Sequence, residues 1–82
     1  MIRFLSRPGC LLCEEARPLV LGVAKRFGVI VEEVNIDEVD ELVASYGLRI
    51  PVILGPGGEV VAEGIIDNTR VLRSRLRELR ER

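Results

Sequence analysis

Histidine, tryptophan and glutamine are missing from this 82-residue chain, and methionine occurs once. Without histidine no imidazole can serve as a general base or a metal ligand, which removes a large class of hydrolytic and zinc sites. The aromatic residues are only Phe4, Phe27 and Tyr46, so the core has to be packed from aliphatic side chains. No stretch reaches the 18 apolar residues of a membrane span. No basic segment followed by an apolar one of signal-peptide length opens the chain, and a cytoplasmic protein with no membrane association is expected. Sulfur is almost as scarce. Two cysteines are present, and both lie in "SRPGCLLCEEARP", Ser6 to Pro18.

What is present describes an ordinary globular chain, with 48% apolar and 30% charged residues. The length predicts one domain over residues 1–82, monomeric, which buries about 60% of its unfolded surface and has modest stability. The net charge of −1 speaks against a general nucleic-acid binder. Arginine dominates the basic residues, which fits either a hot habitat or a GC-rich genome.

The apolar pattern alternates between strand and helix periods. Ile2 to Ser6 reads as a strand stopped by Pro8 and Gly9. Leu11 to Phe27 repeats apolar residues at helical spacing (Ala16, Leu19, Val20, Val23, Ala24, Phe27), with Gly28 as its C-terminal cap and a bend expected at Pro18. Val29 to Ile36 is β-branched and predicts a second strand. Asp37 is expected to cap a short helix over Val39 to Tyr46 that ends at Gly47. Pro51 to Leu54 and Glu59 to Ala62 flank "GPGG" and predict an antiparallel hairpin. A final helix is expected from Asp67 to the end, with Leu72, Leu76 and Leu79 inward. The fold class is α/β, order βαβαββα, a four-stranded mixed sheet flanked by helices.

Cys10 and Cys13 stand at i and i+3, which in a first helical turn places both side chains on one face within reach of a disulfide. As a staple the bond would do little. Closing so short a loop is worth roughly 2 kcal/mol in the chain-entropy account, against about 3 for a 15-residue loop. Reactivity is the stronger motive. A free thiol is only about 3% ionised at pH 7, and a helix N-terminus with a nearby cation raises that fraction. Cys10 is expected to feel both the helix N–H groups and the Arg7 guanidinium, whereas Cys13 lies further inside; Cys10 therefore attacks and Cys13 resolves. The metal alternative has two thiolates in hand and no further cysteine or histidine to complete four ligands.

Taken with Pro18, "YGLRIP", the hairpin and a glycine before the last helix, "PGCLLC" on a helix start makes the sequence resemble the thioredoxin superfamily, specifically a small glutaredoxin-like protein. The resemblance spans almost the whole chain. It implies a thioredoxin/glutaredoxin-like fold, Cys10 as nucleophile, Cys13 as resolving thiol, and a cis Ile50–Pro51 bond facing them. It also implies that the Ile50 backbone pairs with an extended substrate. Leu11 and Leu12 stand where better-known members carry Gly-Pro or Pro-Tyr. The trace "EGIID" keeps Gly64 and Asp67 of a glutathione-carboxylate turn, with Glu63 in place of the first glycine, where its charge would oppose an anionic tripeptide.

The expected function is therefore a thiol-disulfide oxidoreductase acting through a mixed disulfide. Cys10 and Cys13 would do the chemistry, with Arg7, Leu11, Leu12, Ile50, Pro51, Gly64 and Asp67 as the substrate-binding set. Protein disulfides or a low-molecular-weight thiol would be its partners, an external reductase or thiol donor would regenerate it, and no organic cofactor or metal is required. The alternative is a non-enzymatic module holding a metal or iron-sulfur cluster on the same cysteines.

Overall fold

Ile2–Ser6 forms the first strand, β1, and alternation along it assigns two opposite faces. Ile2 and Phe4 enter one apolar cluster while Leu5 enters another on the far side of the sheet. This is the computed structural model of the chain, and it describes residues 1–66 and 69–81. Helix α1 spans Leu11–Phe27, β2 Val31–Asn35, α2 Asp40–Tyr46, β3 Val52–Leu54, β4 Val60–Glu63 and α3 Thr69–Glu81. The expected βαβαββα order is what the chain adopts.

The strands lie in the order β2-β1-β3-β4. β1 runs parallel to β2, with Phe4 opposite Glu33, and antiparallel to β3, with Phe4 opposite Ile53. β3 and β4 are antiparallel, and their register slips between Ile53 and Leu54, which leaves Val61 without a direct partner. α1 and α3 cover one face, where Phe4, Ala16, Val20, Ile53, Leu72 and Leu76 are buried together. α2 covers the other, over Leu5, Ile36, Val52 and Leu54. Each fully buried Phe, Leu, Ile or Val contributes about 1.5–3 kcal/mol, so these two aliphatic layers supply the main folding force.

Local chemistry moves several boundaries. Gly28 caps α1 in the left-handed region at φ 67°, and the next amide, Val29 N–H, donates to Ala24 O at 2.8 Å. With that donor engaged by the helix end, β2 begins at Val31 rather than Val29. Ile36 leaves the strand and opens a 3-10 turn, Ile36–Glu38, capped by the Asn35 side chain, whose oxygen accepts from Asp37 N–H at 3.0 Å. Asp37 is therefore not the cap expected of it. α2 starts at Asp40 behind Val39, with no side-chain cap. Gly47 does end α2, but in right-handed geometry at φ −54°. A β-carbon there would lie 2.6 Å from the Val43 carbonyl oxygen, so close approach, not a positive φ, demands glycine. α1 is continuous through Pro18. Asp67, the expected start of the last helix, lies outside the described residues; Leu72 and Leu76 are buried as expected, and Leu79 packs partly against the same layer.

Candidate functional site

The connection Arg7–Cys10 leaves the C-terminal end of β1 and delivers Cys10 to the N-cap of α1 (φ −87°, ψ 103°). A helix start leaves amides without intrahelical partners, and a side-chain acceptor at the N-cap ordinarily satisfies one of them. Here sulfur does so: Cys13 N–H donates to Cys10 Sγ at 3.1 Å. The two residues are joined as a disulfide, with their Cα atoms 5.2 Å apart. Cys13 is wholly buried against the α1–α3 layer, whereas Cys10 is half-buried at its margin. The pair is thus asymmetric, with one sulfur reachable and one shielded.

The neighbouring loop is set by sheet register. Leu5 lies opposite Val52, so Pro51 falls beside Ser6, at the point where the chain turns toward the cysteines. The Ile50–Pro51 bond is cis, and Pro51 is buried. Ile50 packs against the same layer as Cys10. Its N–H donates to Tyr46 O at 3.1 Å, so strand-like pairing of Ile50 with another chain through that amide requires its release. Gly64, at φ 74°, closes the third side: its N–H donates to Pro51 O at 2.9 Å and to Arg49 O at 3.3 Å. The ends of β1, β3 and β4 therefore meet at one edge of the sheet, and the loops that leave it carry Cys10, Pro51 and Gly64. Asp67 lies outside the described residues.

The loops and the helix start that meet at this edge expose aliphatic side chains. Leu11 is 71% exposed, Leu12 39% and Ile65 69%, and Leu48 is fully exposed. Leu11 and Leu12 were in the expected set. Leu48 and Ile65 were not, although each sits one or two residues from a residue that was.

Charges near the site are matched in pairs. Arg7, expected to lend its charge to Cys10, instead donates Nε to Asp37 Oδ1 at 2.9 Å and forms an ion pair with it through Nη2. Asp37 follows β2 and reaches the same sheet edge, so its carboxylate offsets the cation that the sequence suggests for the thiol. Arg49 Nε donates to Glu63 Oε2 at 2.7 Å, and its guanidinium lies 5.0 Å from the Tyr46 ring centroid. That hydrogen bond holds the Glu63 carboxyl below, and the Arg49 guanidinium above, their usual ranges. The Glu63 carboxylate expected to face a ligand is thus already engaged.

A third cluster braces the cysteine helix. Arg17 donates to Glu33 through Nε at 2.9 Å and Nη2 at 2.7 Å, and to Glu14 through Nη1 at 2.6 Å. The buried Ser6 hydroxyl donates to Glu33 at 3.0 Å. Arg17 first, and Ser6 after it, hold the Glu33 carboxyl below the ordinary carboxylate range. These contacts tie the first turns of α1 to β1 and β2.

Among the described residues, no group of three or more cysteine and carboxylate side chains converges as a cation site. No described helix is long and apolar enough to cross a membrane.

Comparison with known proteins gives a consistent result. The glutaredoxin-like domain (DUF836) matches residues 1–79. Among solved structures, target protein XcR50 from X. campestris is 31% identical, with 95% of this chain and 97% of that one covered and a TM-score of 0.76. Protein Ne2328 from Nitrosomonas europaea is 26% identical over 89% and 86% of the two chains, with a TM-score of 0.74. Thioredoxin 1 from Thermosipho africanus TCF52B, at 14% identity, covers 98% and 93% with a TM-score of 0.70 and shares the fold. No curated protein matches the chain.

Proposed function

The chain belongs to the glutaredoxin-like domain family, and from that premise we propose that it is a thiol-disulfide oxidoreductase acting on disulfides in polypeptides. One observation carries the reading: Cys10 is the half-exposed N-cap of α1 and its sulfur accepts the Cys13 amide, while Cys13 is buried. In the reduced protein that amide and the positive end of α1 stabilise the Cys10 thiolate over the thiol.

The reaction balances without a cofactor. Cys10 thiolate attacks one sulfur of the substrate disulfide; a Cys10–substrate bond forms, and the other substrate sulfur leaves as a thiolate that takes up a proton. Cys13, having lost its proton, attacks Cys10 Sγ, displaces the second substrate sulfur as a thiolate and leaves the Cys10–Cys13 disulfide. Two electrons pass to the substrate, and an external thiol or reductase restores them. The exposed aliphatic rim of Leu11, Leu12, Leu48 and Ile65 supports a polypeptide substrate over a small charged thiol, because burying such side chains rewards an apolar segment and not a charged tripeptide.

The test is trapping. Cys13→Ser should accumulate a mixed disulfide at residue 10 in cell extract, and Cys10→Ser should neither trap nor reduce a dithiol-coupled model disulfide. Capture through residue 13 would reverse the two roles. Stoichiometric metal in freshly isolated protein, together with no reductase activity, would favour the cluster-binding alternative.

A further inference from the structure

We propose that the cleft between the C-terminal end of α1 and the adjoining face of α3 binds a chain of linked phosphates, as in inorganic tripolyphosphate or a nucleoside triphosphate. The cleft, about 590 Å³, is lined by Arg26 and Phe27 from α1 and by Arg70, Arg73, Ser74 and Arg77 from α3. The α3 residues fall at i, i+3, i+4 and i+7, one continuous stripe about 10 Å long. Arg26 faces it from the other helix. Among the described residues, no carboxylate lines the cleft.

Three of these arginines lack the carboxylate partners that others hold. Arg3, Arg7, Arg17 and Arg49 each hold a carboxylate. Arg70 already has a partner within the molecule. Among the described residues, Arg26, Arg73 and Arg77 have no ion-pair partner. The chain as a whole carries −1, and these four lining arginines contribute +4, so everything else carries −5. A concentration of positive charge in an otherwise acidic molecule repels itself, and a polyanion removes that repulsion.

Ligand class follows from shape and spacing. Guanidinium forks match phosphate oxygens two at a time. Neighbours on the stripe are about 5–6 Å apart at Cβ, and their long flexible side chains let several forks converge on one phosphate chain, whose charges are packed more closely than the carboxylates of a peptide. An acidic peptide in extended form presents carboxylates on one face only at every second residue, about 6.6 Å apart, and spreads its charge beyond a cleft of this size. The site lies at the far end of α1 from Cys10, 17 helical residues away, and is independent of the redox reading.

The experiment is calorimetric titration of the full chain, at 150 mM salt, with tripolyphosphate, ATP, orthophosphate and an oligoglutamate. One-to-one saturable binding of tripolyphosphate, at least about tenfold tighter than orthophosphate, is expected. Arg73→Ala, Arg77→Ala and Arg26→Ala should each weaken it about tenfold, the scale of a lost charge-assisted hydrogen bond. Arg75→Ala, whose side chain borders Glu59 and Glu78 instead, should leave it unchanged. Equal affinity for ATP and tripolyphosphate would assign recognition to the phosphates alone; tighter ATP would add a nucleoside contact at Phe27, and both outcomes support the site. Absence of saturable binding, an equal loss in Arg75→Ala, or tighter binding of oligoglutamate overturns it. Should an α3 variant fail to fold, Arg26→Glu on α1 carries the same test.

Discussion

Replacing Glu33 by Gln keeps the shape of the side chain and removes the charge on which Arg17 and Ser6 converge. The size of the effect can be worked from the contacts. Arg17 places two N–H groups on Glu33, at 2.9 and 2.7 Å, in the fork geometry that puts an ion pair at the upper end of the surface range. Both partners are partly solvated, 29% and 40% exposed, so the Coulomb gain is screened and the pair is worth at most about 1 kcal/mol. Ser6 adds a buried hydroxyl, 4% exposed, that loses a charged acceptor but keeps a neutral one. The expected cost is about 1 kcal/mol at pH 7, which for a domain of this size lowers Tm by roughly 4–8 °C.

The pH dependence makes the prediction specific. Hydrogen bonding to Arg17 places the folded-state pKa of Glu33 below the unfolded value. Its contribution is therefore complete above the ordinary carboxylate range, near 4.3, and is lost as pH falls through the lower folded value. Arg17 is shifted upward but stays charged throughout, so the carboxylate is the group that titrates. Thermal melts of parent and Glu33→Gln should differ at pH 7, converge toward pH 3, and differ less in 1 M salt. A gap that persists undiminished at pH 3 would place the effect in packing and refute the electrostatic account.

Gly47→Ala should destabilise by about 1–2 kcal/mol despite alanine's better helix propensity, because its β-carbon meets a carbonyl oxygen that cannot swing aside; chemical denaturation reads the change in midpoint. Leu48→Asp should lower kcat/KM for a protein disulfide about tenfold, the scale of losing a partly buried leucine contact, and leave reduction of a small neutral disulfide unchanged. Equal losses on both substrates would show that the aliphatic rim does not contact the polypeptide.

Elements whose signal lies within one turn or one strand were legible from the chain. Ile2–Ser6 is a short apolar run ended by Pro8 and Gly9, Leu11–Phe27 carries a clear period of 3.6, and both appear with the expected limits. The cysteine turn was legible for the same reason, since N-cap and N3 are separated by three residues. Competition between neighbouring donors and acceptors was not. Asn35 caps the turn after β2 while Arg7 engages the Asp37 carboxylate, and Val29 is drawn from its strand by the end of α1. The Ser6–Glu33 and Arg7–Asp37 contacts join residues 27 and 30 apart, a pairing that becomes visible only once β1 and β2 are in register. Leu48 and Ile65 read as ordinary loop residues until strand register sets their loops at the same end of the sheet as the cysteine turn.

On the proposed redox reading, the Arg7–Asp37 pair decides what holds the Cys10 thiolate. From the sequence alone, Arg7 and the helix end share the task. In the folded chain the guanidinium lies on Asp37, so the pair presents little net charge to the sulfur, and the α1 terminus with the Cys13 amide is left as the principal source of stabilisation. Two variants separate these contributions in iodoacetamide alkylation of the reduced protein. Asp37→Asn frees Arg7 and removes a nearby anion, so the pH midpoint for Cys10 should move downward. Arg7→Ala combined with Asp37→Asn removes a near-neutral pair and should titrate as the parent does, because the helix terminus is untouched. A double variant whose Cys10 reacts only in the range of an ordinary free thiol would show that the helix end is insufficient, and would return the role to the arginine that the sequence first suggests.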